Sequence, residues 1–202
     1  MPRVGLNRAA VVATAIDLVD DGGASGFADL TLAALAARAG IAVPSLYKHV
    51  TSLADLRREI AIDSVNQLTA VISAASTGFA GRDAVRAMAD AVRAFAHAHP
   101  GRYAATQVAP RLDEPLDRAL AAAGARTIEV IAAVLRGFEL PPELTIDAIR
   151  VIRSSLHGFI LLEVGGGFGL PDDLDRSFAL LVEMVTVGVE RISAESRAVA
   201  TG

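Results

Sequence analysis

Residues 30–50 read Leu-Thr-Leu-Ala-Ala-Leu-Ala-Ala-Arg-Ala-Gly-Ile-Ala-Val-Pro-Ser-Leu-Tyr-Lys-His-Val, and this stretch decides the fold. Thr31 is a side-chain acceptor set just ahead of Leu32 to Ala39, a run of good helix formers. Gly40 closes that run. Pro44 then opens a second helix in its first turn, where a missing N–H removes no helical bond. The spacing predicts two helices of about two turns each, separated by Gly40-Ile41-Ala42-Val43. Ala36 and Ala37 are small enough for close approach, Gly40 permits a positive φ, and Ile41 and Leu46 are spaced as core plugs on either side of the turn. Such a pair can present the N-terminal end of its second helix to a DNA major groove. The same spacing also fits an ordinary helical hairpin whose turn contains Gly.

The polar residues favour the first reading. Ser45, Tyr47, Lys48 and His49 crowd a very short helix, and Lys48 is the only lysine in the chain. Tyr47 alone fits equally well a half-buried aromatic with its hydroxyl in water. Taken together, Thr31 to Leu56 resembles the helix-turn-helix and the start of the connecting helix of the TetR family of one-component transcription regulators. The order Pro44-Ser45-Leu46-Tyr47-Lys48-His49-Val50 is particularly similar to the tetracycline-repressor branch. The resemblance implies a DNA-facing set of Thr31, Ala42, Val43, Pro44, Ser45, Tyr47, Lys48 and His49. In it Thr31 should hold a phosphate, Val43, Pro44 and Ser45 should face bases, and Tyr47, Lys48 and His49 should meet backbone or base edges. Leu53 stands where many relatives carry Lys, so one expected phosphate contact is missing. Val43 implies contact with a thymine methyl, which discriminates less than a bidentate hydrogen-bonded pair.

Outward from this stretch the chain predicts an all-α fold of about nine helices, with a three-helix head over residues 1–52 and a larger regulatory and dimerisation body over 53–202. Strand signals are almost absent: no sustained alternation and no Asn-Gly or Asp-Gly turn between alternating runs. Asn7 caps a first helix that Gly22-Gly23 stop, and Ser52 caps a long one, with Asp55 in the capping-box position. Arg82 to His99 is strongly periodic and ends at Pro100-Gly101. A short piece near Arg102 to Val108 follows, then helices over Pro115 to Phe138, Glu143 to about Val164, and Asp173 to about Ser196. The 202 residues are 52% hydrophobic and 21% charged, which excludes disorder, while 17 Gly and 8 Pro are ordinary for this length. The absence of cysteine removes disulfide scaffolds, thiol nucleophiles and iron–sulfur clusters. A net charge of -4 argues against nonspecific coating of nucleic acid but leaves room for one basic reading face. The N-terminal residues Met1 to Arg8 do not read as a secretory leader, and no apolar run is long enough to span a bilayer, so the expectation is a cytoplasmic protein without a membrane partner.

The body supplies two further expectations. Ile149, Ile152, Leu156, Phe159 and Ile160 stripe one late helix, and Phe178, Leu181, Val182, Val185, Val189 and Ile192 stripe the last. These stripes fit internal packing, and they also fit half of an intermolecular four-helix bundle, which is what the TetR resemblance implies. The nominated dimer contacts are Ile152, Leu156, Phe159, Phe178, Val182, Val185 and Val189. Leu156-His157-Gly158 is similar to a subgroup motif Trp-His-Gly, with Leu in place of Trp. The nominated effector site joins the apolar Met88, Val92 and Phe95 to His99, Tyr103, Gln107 and His157, a mixture suited to a largely hydrophobic small molecule. His157 on an apolar helix also fits a satisfied core histidine. His97-x-His99 does not put both rings on one helical face, so no metal is expected, and no cofactor. No nucleophile elbow, phosphate loop or dinucleotide fingerprint is present, and the Gly165 to Gly169 run follows a helix. The expected function is a ligand-responsive regulator, a repressor binding a palindromic double-stranded operator as a homodimer and released by an effector whose identity the sequence does not give. The alternatives are a DNA-binding dimer without an effector and a helical enzyme or carrier.

Overall fold

The computed structural model describes residues 7–200, with side chains through 198; residues 1–6, part of the segment read above for a leader, lie outside it. Among the described residues there are ten α-helices and no strand: α1 (Arg8–Asp21), α2 (Gly26–Asp29), α3 (Leu32–Ala39), α4 (Val43–Leu46), α5 (Leu53–Ser76), α6 (Gly81–Ala98), α7 (Pro100–Ala105), α8 (Arg118–Leu135), α9 (Pro142–Val164) and α10 (Leu174–Ala200). The helix beyond the expected nine is α2, a single turn with too few residues to show a period. Single 3-10 turns flank α8 at Pro115–Asp117 and Arg136–Phe138, so the expected Pro115 to Phe138 helix is α only in its middle. α4 has four residues rather than two turns; beyond Leu46 the chain closes with tight bonds from Lys48 N–H to the Ser45 carbonyl and from His49 N–H to the Leu46 carbonyl.

The chain packs as two compact units, 1–67 with 98–124 and 68–97 with 125–202, and so does not divide after residue 52. In the first, Val11, Ala15, Ile16 and Val19 of α1 meet Leu35 and Ala36 of α3, Leu46 of α4, and Leu56 and Ile60 of α5 in one core. Each fully buried aliphatic side chain there is worth about 1.5–3 kcal/mol relative to exposure. Arg58 of α5 donates to Asp117 (2.6 Å), whose other oxygen accepts the Arg111 N–H (2.8 Å), fixing the segment before α8. These two donors, the Arg111 N–H foremost and Arg58 beside it, hold the Asp117 carboxyl below its ordinary value.

α7 belongs to this first unit because glycine lets it come close. A Cβ on Gly101 would lie 2.6 Å from the Val19 carbonyl oxygen and 2.8 Å from that of Gly23. Gly26 of α2 crowds the same Val19 carbonyl, at 2.1 Å from a Cβ built there. Next to this contact Arg102 donates to Asp20 (3.0 Å) and to Gln67 (2.7 Å).

In the second unit the stripe of α6 is buried as its period predicts: Val85, Met88, Ala89, Val92, Phe95 and Ala96. Ile149, Ile152, Leu156 and Ile160 of α9 and Phe178, Val182 and Val189 of α10 are buried as well. Ser193 near the end of α10 donates to the Phe138 carbonyl (2.5 Å), a buried bond that fixes the turn after α8.

Gly101→Val should destabilise the protein by about 2 kcal/mol or more, because backbone rather than a flexible side chain blocks the added atoms. Gly124→Ala, inside α8 with open space at its Cβ, should be neutral or stabilising by about 0.5–1 kcal/mol. Urea denaturation of both variants checks the pair; equal effects would contradict the packing at Val19.

Candidate nucleic-acid interface

The turn between α3 and α4 is built by local chemistry. Thr31 Oγ1 accepts from the Ala34 N–H (3.1 Å), capping α3. Gly40 sits at φ 67°, the left-handed region, and ends the helix with two bonds: Gly40 N–H to the Ala37 carbonyl (3.2 Å) and Ile41 N–H to the Ala36 carbonyl (3.0 Å). That pair is a Schellman closure, and it turns the chain sharply into Ala42. Leu46 and Val50 are buried and pin α4 and its following turn from beneath. Pro44, Tyr47 and Lys48 are left in the open, and Tyr47 is 56% exposed. Ala42 and Thr31 are exposed too, whereas Ser45 and His49 are half-buried, and half-buried Val43 packs against the core. Among the described residues Lys48 has no carboxylate at ion-pairing distance, so its charge is unspent. Asp55, expected to answer Ser52 across the start of α5, instead accepts from the Thr51 N–H (2.9 Å), one residue earlier, while its own N–H bonds Ser52 Oγ (3.0 Å).

The nominated effector residues divide between the two units. Met88, Val92 and Phe95 are buried in the second, with His157 half-buried on α9. Burial, and to a lesser degree the nearby Arg153, push the His157 imidazole below its ordinary pKa, which favours the neutral ring. His99, Tyr103 and Gln107 fall in the first unit. There His99 lies 3.5 Å from Asp20, Tyr103 is buried, and Gln107 donates to Thr106 Oγ1 (2.7 Å).

The second unit carries a cleft of about 440 Å³ lined by Asp90, Arg93, Ala94, His97, Glu163 and Asp175, none of them nominated from the sequence. Arg93 pairs with Glu163 through two bonds, one of 2.9 Å from Nε, and reaches Asp175 at 2.8 Å. Its guanidinium also lies 4.7 Å over the Phe178 ring. His97 Nε2 is 2.9 Å from the same Glu163. The bond from Arg93, more than that from His97, holds the Glu163 carboxyl below its ordinary value. The signal was present in the sequence as Arg93 and His97, four apart on the polar side of a strongly amphipathic helix.

Of the nominated dimer contacts, Ile152, Leu156, Phe178, Val182 and Val189 are buried inside this single chain, and Phe159 stacks on Phe178 with ring centres 5.3 Å apart. Val185 is half-buried. The large apolar residues that α10 leaves exposed are others: Leu180, Met184 and Val187, spaced four and three apart, and Ile192, with Met184 at 66% exposure. α9 exposes Val151, Leu161 and Leu162, and both helices have open space at a glycine, Gly158 and Gly188. Periodicity had marked the faces of α9 and α10 that turn inward.

Comparisons with known proteins agree on one family. A model of the tetracyclin repressor-like C-terminal domain matches residues 85–185. The uncharacterized HTH-type transcriptional regulator Rv0681 of Mycobacterium tuberculosis is 37% identical over 188 residues, covering 92% of this chain and 83% of its own. A similar regulator, YobS of Bacillus subtilis, is 28% identical over 93% of this chain and 95% of its own. Two solved structures share the fold: a minocycline-bound TetR variant from Acinetobacter baumannii AYE (21% identity, TM-score 0.67, 93% of this chain and 98% of that one) and BioQ with its double-stranded DNA operator (20% identity, TM-score 0.59, 92% and 98%). With its capped, glycine-closed turn, its exposed Lys48 and these relatives, the chain belongs to the TetR family of helix-turn-helix transcriptional regulators.

Proposed function

We propose that this regulator is a ligand-responsive repressor, binding a palindromic operator as a homodimer and released by a small, largely hydrophobic effector. The observation that carries the reading is the one-turn α4, held from below by Leu46 and Val50, with Pro44, Tyr47 and Lys48 facing outward. Thr31 spends a lone pair on its cap but keeps its hydroxyl proton for a phosphate. Val43, Pro44 and Ser45 are the base-facing set, with Ala42 leading into it, and Tyr47, Lys48 and His49 meet backbone or base edges. One short reading helix covers few bases, and a two-fold dimer doubles the site into a palindrome. The exposed Leu180, Met184 and Val187 of α10, with Val151, Leu161 and Leu162 of α9, are the surface we assign to that dimer. An operator as the target supports a cytoplasmic location.

The effector reading takes support from the family model over the body and from the minocycline bound to a structurally similar relative. Met88, Val92 and Phe95 are closed into a core, so an effector that uses them binds a less populated, opened body. Its apparent affinity falls by the fraction of that state, and its binding shifts the population away from the operator register. His157, half-buried in the same unit, is the polar group assigned to orient it. The same closed core favours a second reading, a DNA-binding dimer without an effector. A thermal-shift screen followed by operator release separates the two. Neutral hydrophobic ligands should raise the melting temperature and free the operator, and Phe95→Ala and His157→Ala should alter that response while sparing operator binding. Response to highly charged ligands alone would move the site to the Arg93–Glu163 cleft.

Lys48→Ala should weaken binding to all duplexes alike and lower the salt slope by about 1 per protomer, because a lone flexible ammonium suits a phosphate. A change of preferred base at constant slope, in binding titrations over a salt series, would contradict that role.

For the dimer, Met184→Arg should yield folded monomers at least about tenfold weaker in association, since a charge would enter the core of the interface. Val182→Arg, inside the single chain, should instead unfold the protein. Light scattering with circular dichroism distinguishes the outcomes, and a stable dimer of the Met184 variant would sink this surface.

A further inference from the structure

Arg8, the first residue of α1, reaches two other pieces of the head. Its Nη1 donates to the His49 carbonyl (2.9 Å) and to Asp55 (3.0 Å), and its Nη2 donates to Asp55 (2.9 Å) and Glu59 (2.7 Å). Asp55 accepts in addition from the Thr51 N–H, and Arg58 stands 3.8 Å from it. One guanidinium therefore ties the start of α1 to the last carbonyl of the reading turn and to the first turn of α5.

Two arguments set its role. The first is donor accounting: of the five N–H groups on a guanidinium, four are taken here, leaving Nε alone. Asp55 and Glu59 both face Arg8, while Arg58 is also drawn to Asp117, so Arg8 offers a phosphate little charge and little geometry, although its side chain is 42% exposed. The second is mechanical. A helix of four residues has no stability of its own, and its terminal carbonyls have no helical partners. Leu46 and Val50 fix its depth, but apolar contacts are non-directional and do not fix rotation. A guanidinium held by both oxygens of Asp55 and donating once to the His49 carbonyl does.

We propose that Arg8 is a positioning residue for DNA recognition, setting the orientation of residues 43–49 against the start of α5 without touching the DNA. This rests on the DNA-binding reading of the head. The test uses the full chain, the duplex recovered by selection from a random library, and an unrelated duplex of equal length, titrated by fluorescence anisotropy over a salt series. Arg8→Ala and Asp55→Asn should each weaken the selected duplex by roughly 10- to 100-fold, the scale of a lost charge-assisted bond, and should not weaken the unrelated one. The salt slope should hold. The double variant should be no worse than the worse single one, because both break the same link. Arg8→Lys should restore only part, since an ammonium cannot span these acceptors in a fork.

Equal losses on both duplexes, with the slope reduced by about 1 per protomer, would make Arg8 a phosphate contact and overturn the proposal. So would a lowered active fraction at unchanged affinity, the mark of a stabilising role only. Should Arg8→Ala fail to fold, the nearly isosteric Asp55→Asn carries the test alone, and wild-type affinity in that variant overturns the clamp. Wild-type protein that prefers no duplex overturns the DNA reading itself and the clamp with it, so the two failures are told apart by the wild-type titration.

Discussion

A four-residue helix cannot hold itself together, and the rest of the head exists around that constraint. Nucleating a turn fixes several dihedrals for one bond, so α4 persists only where neighbours supply what its length does not. Gly40 delivers the chain to it through a left-handed closure, Leu46 and Val50 sink into a core shared with α1, α3 and α5, and Arg8 bonds the His49 carbonyl in the turn that follows it. The surface left over is small, polar and carries the chain's only lysine. In this arrangement the proposed reading surface is braced by packing and by hydrogen bonds, as direct contact with base edges requires.

The same logic explains why the first packed unit takes in residues 98–124. α7 is short as well, and it stays in place by pressing Gly101 onto the backbone of α1 and by the Arg102–Asp20 bond beside it. Its chain comes directly from α6, whose buried stripe belongs to the other unit.

Much of this was legible because the signals were local. Asn7, Thr31 and Gly40 mark helix ends through bonds to residues a few positions away, Pro100 does so by having no N–H to bond, and Met88, Val92 and Phe95 share a face that period alone reveals. What stayed hidden was long-range or ambiguous in sign. Arg8 and Asp55 are 47 positions apart, and nothing in their surroundings announces the pair. α2 is one turn and has no period to read. α9 and α10 are apolar on more than one side, so their stripes identified helices but could not say that Val182 faces inward while Met184 faces out. The nominated effector set drew on residues of both packed units, because a sequence read in order does not mark which unit a residue joins.

The central claim is that two copies of α4 read the two halves of one palindrome. Selection of duplexes from a random library by the purified protein, followed by the mass of the complex on the winning sequence, tests it most directly. The account predicts an inverted repeat with half-site centres about one helical turn apart, bound by two protomers. Enrichment of a single asymmetric site bound by one protomer, or no enrichment at all, would contradict it.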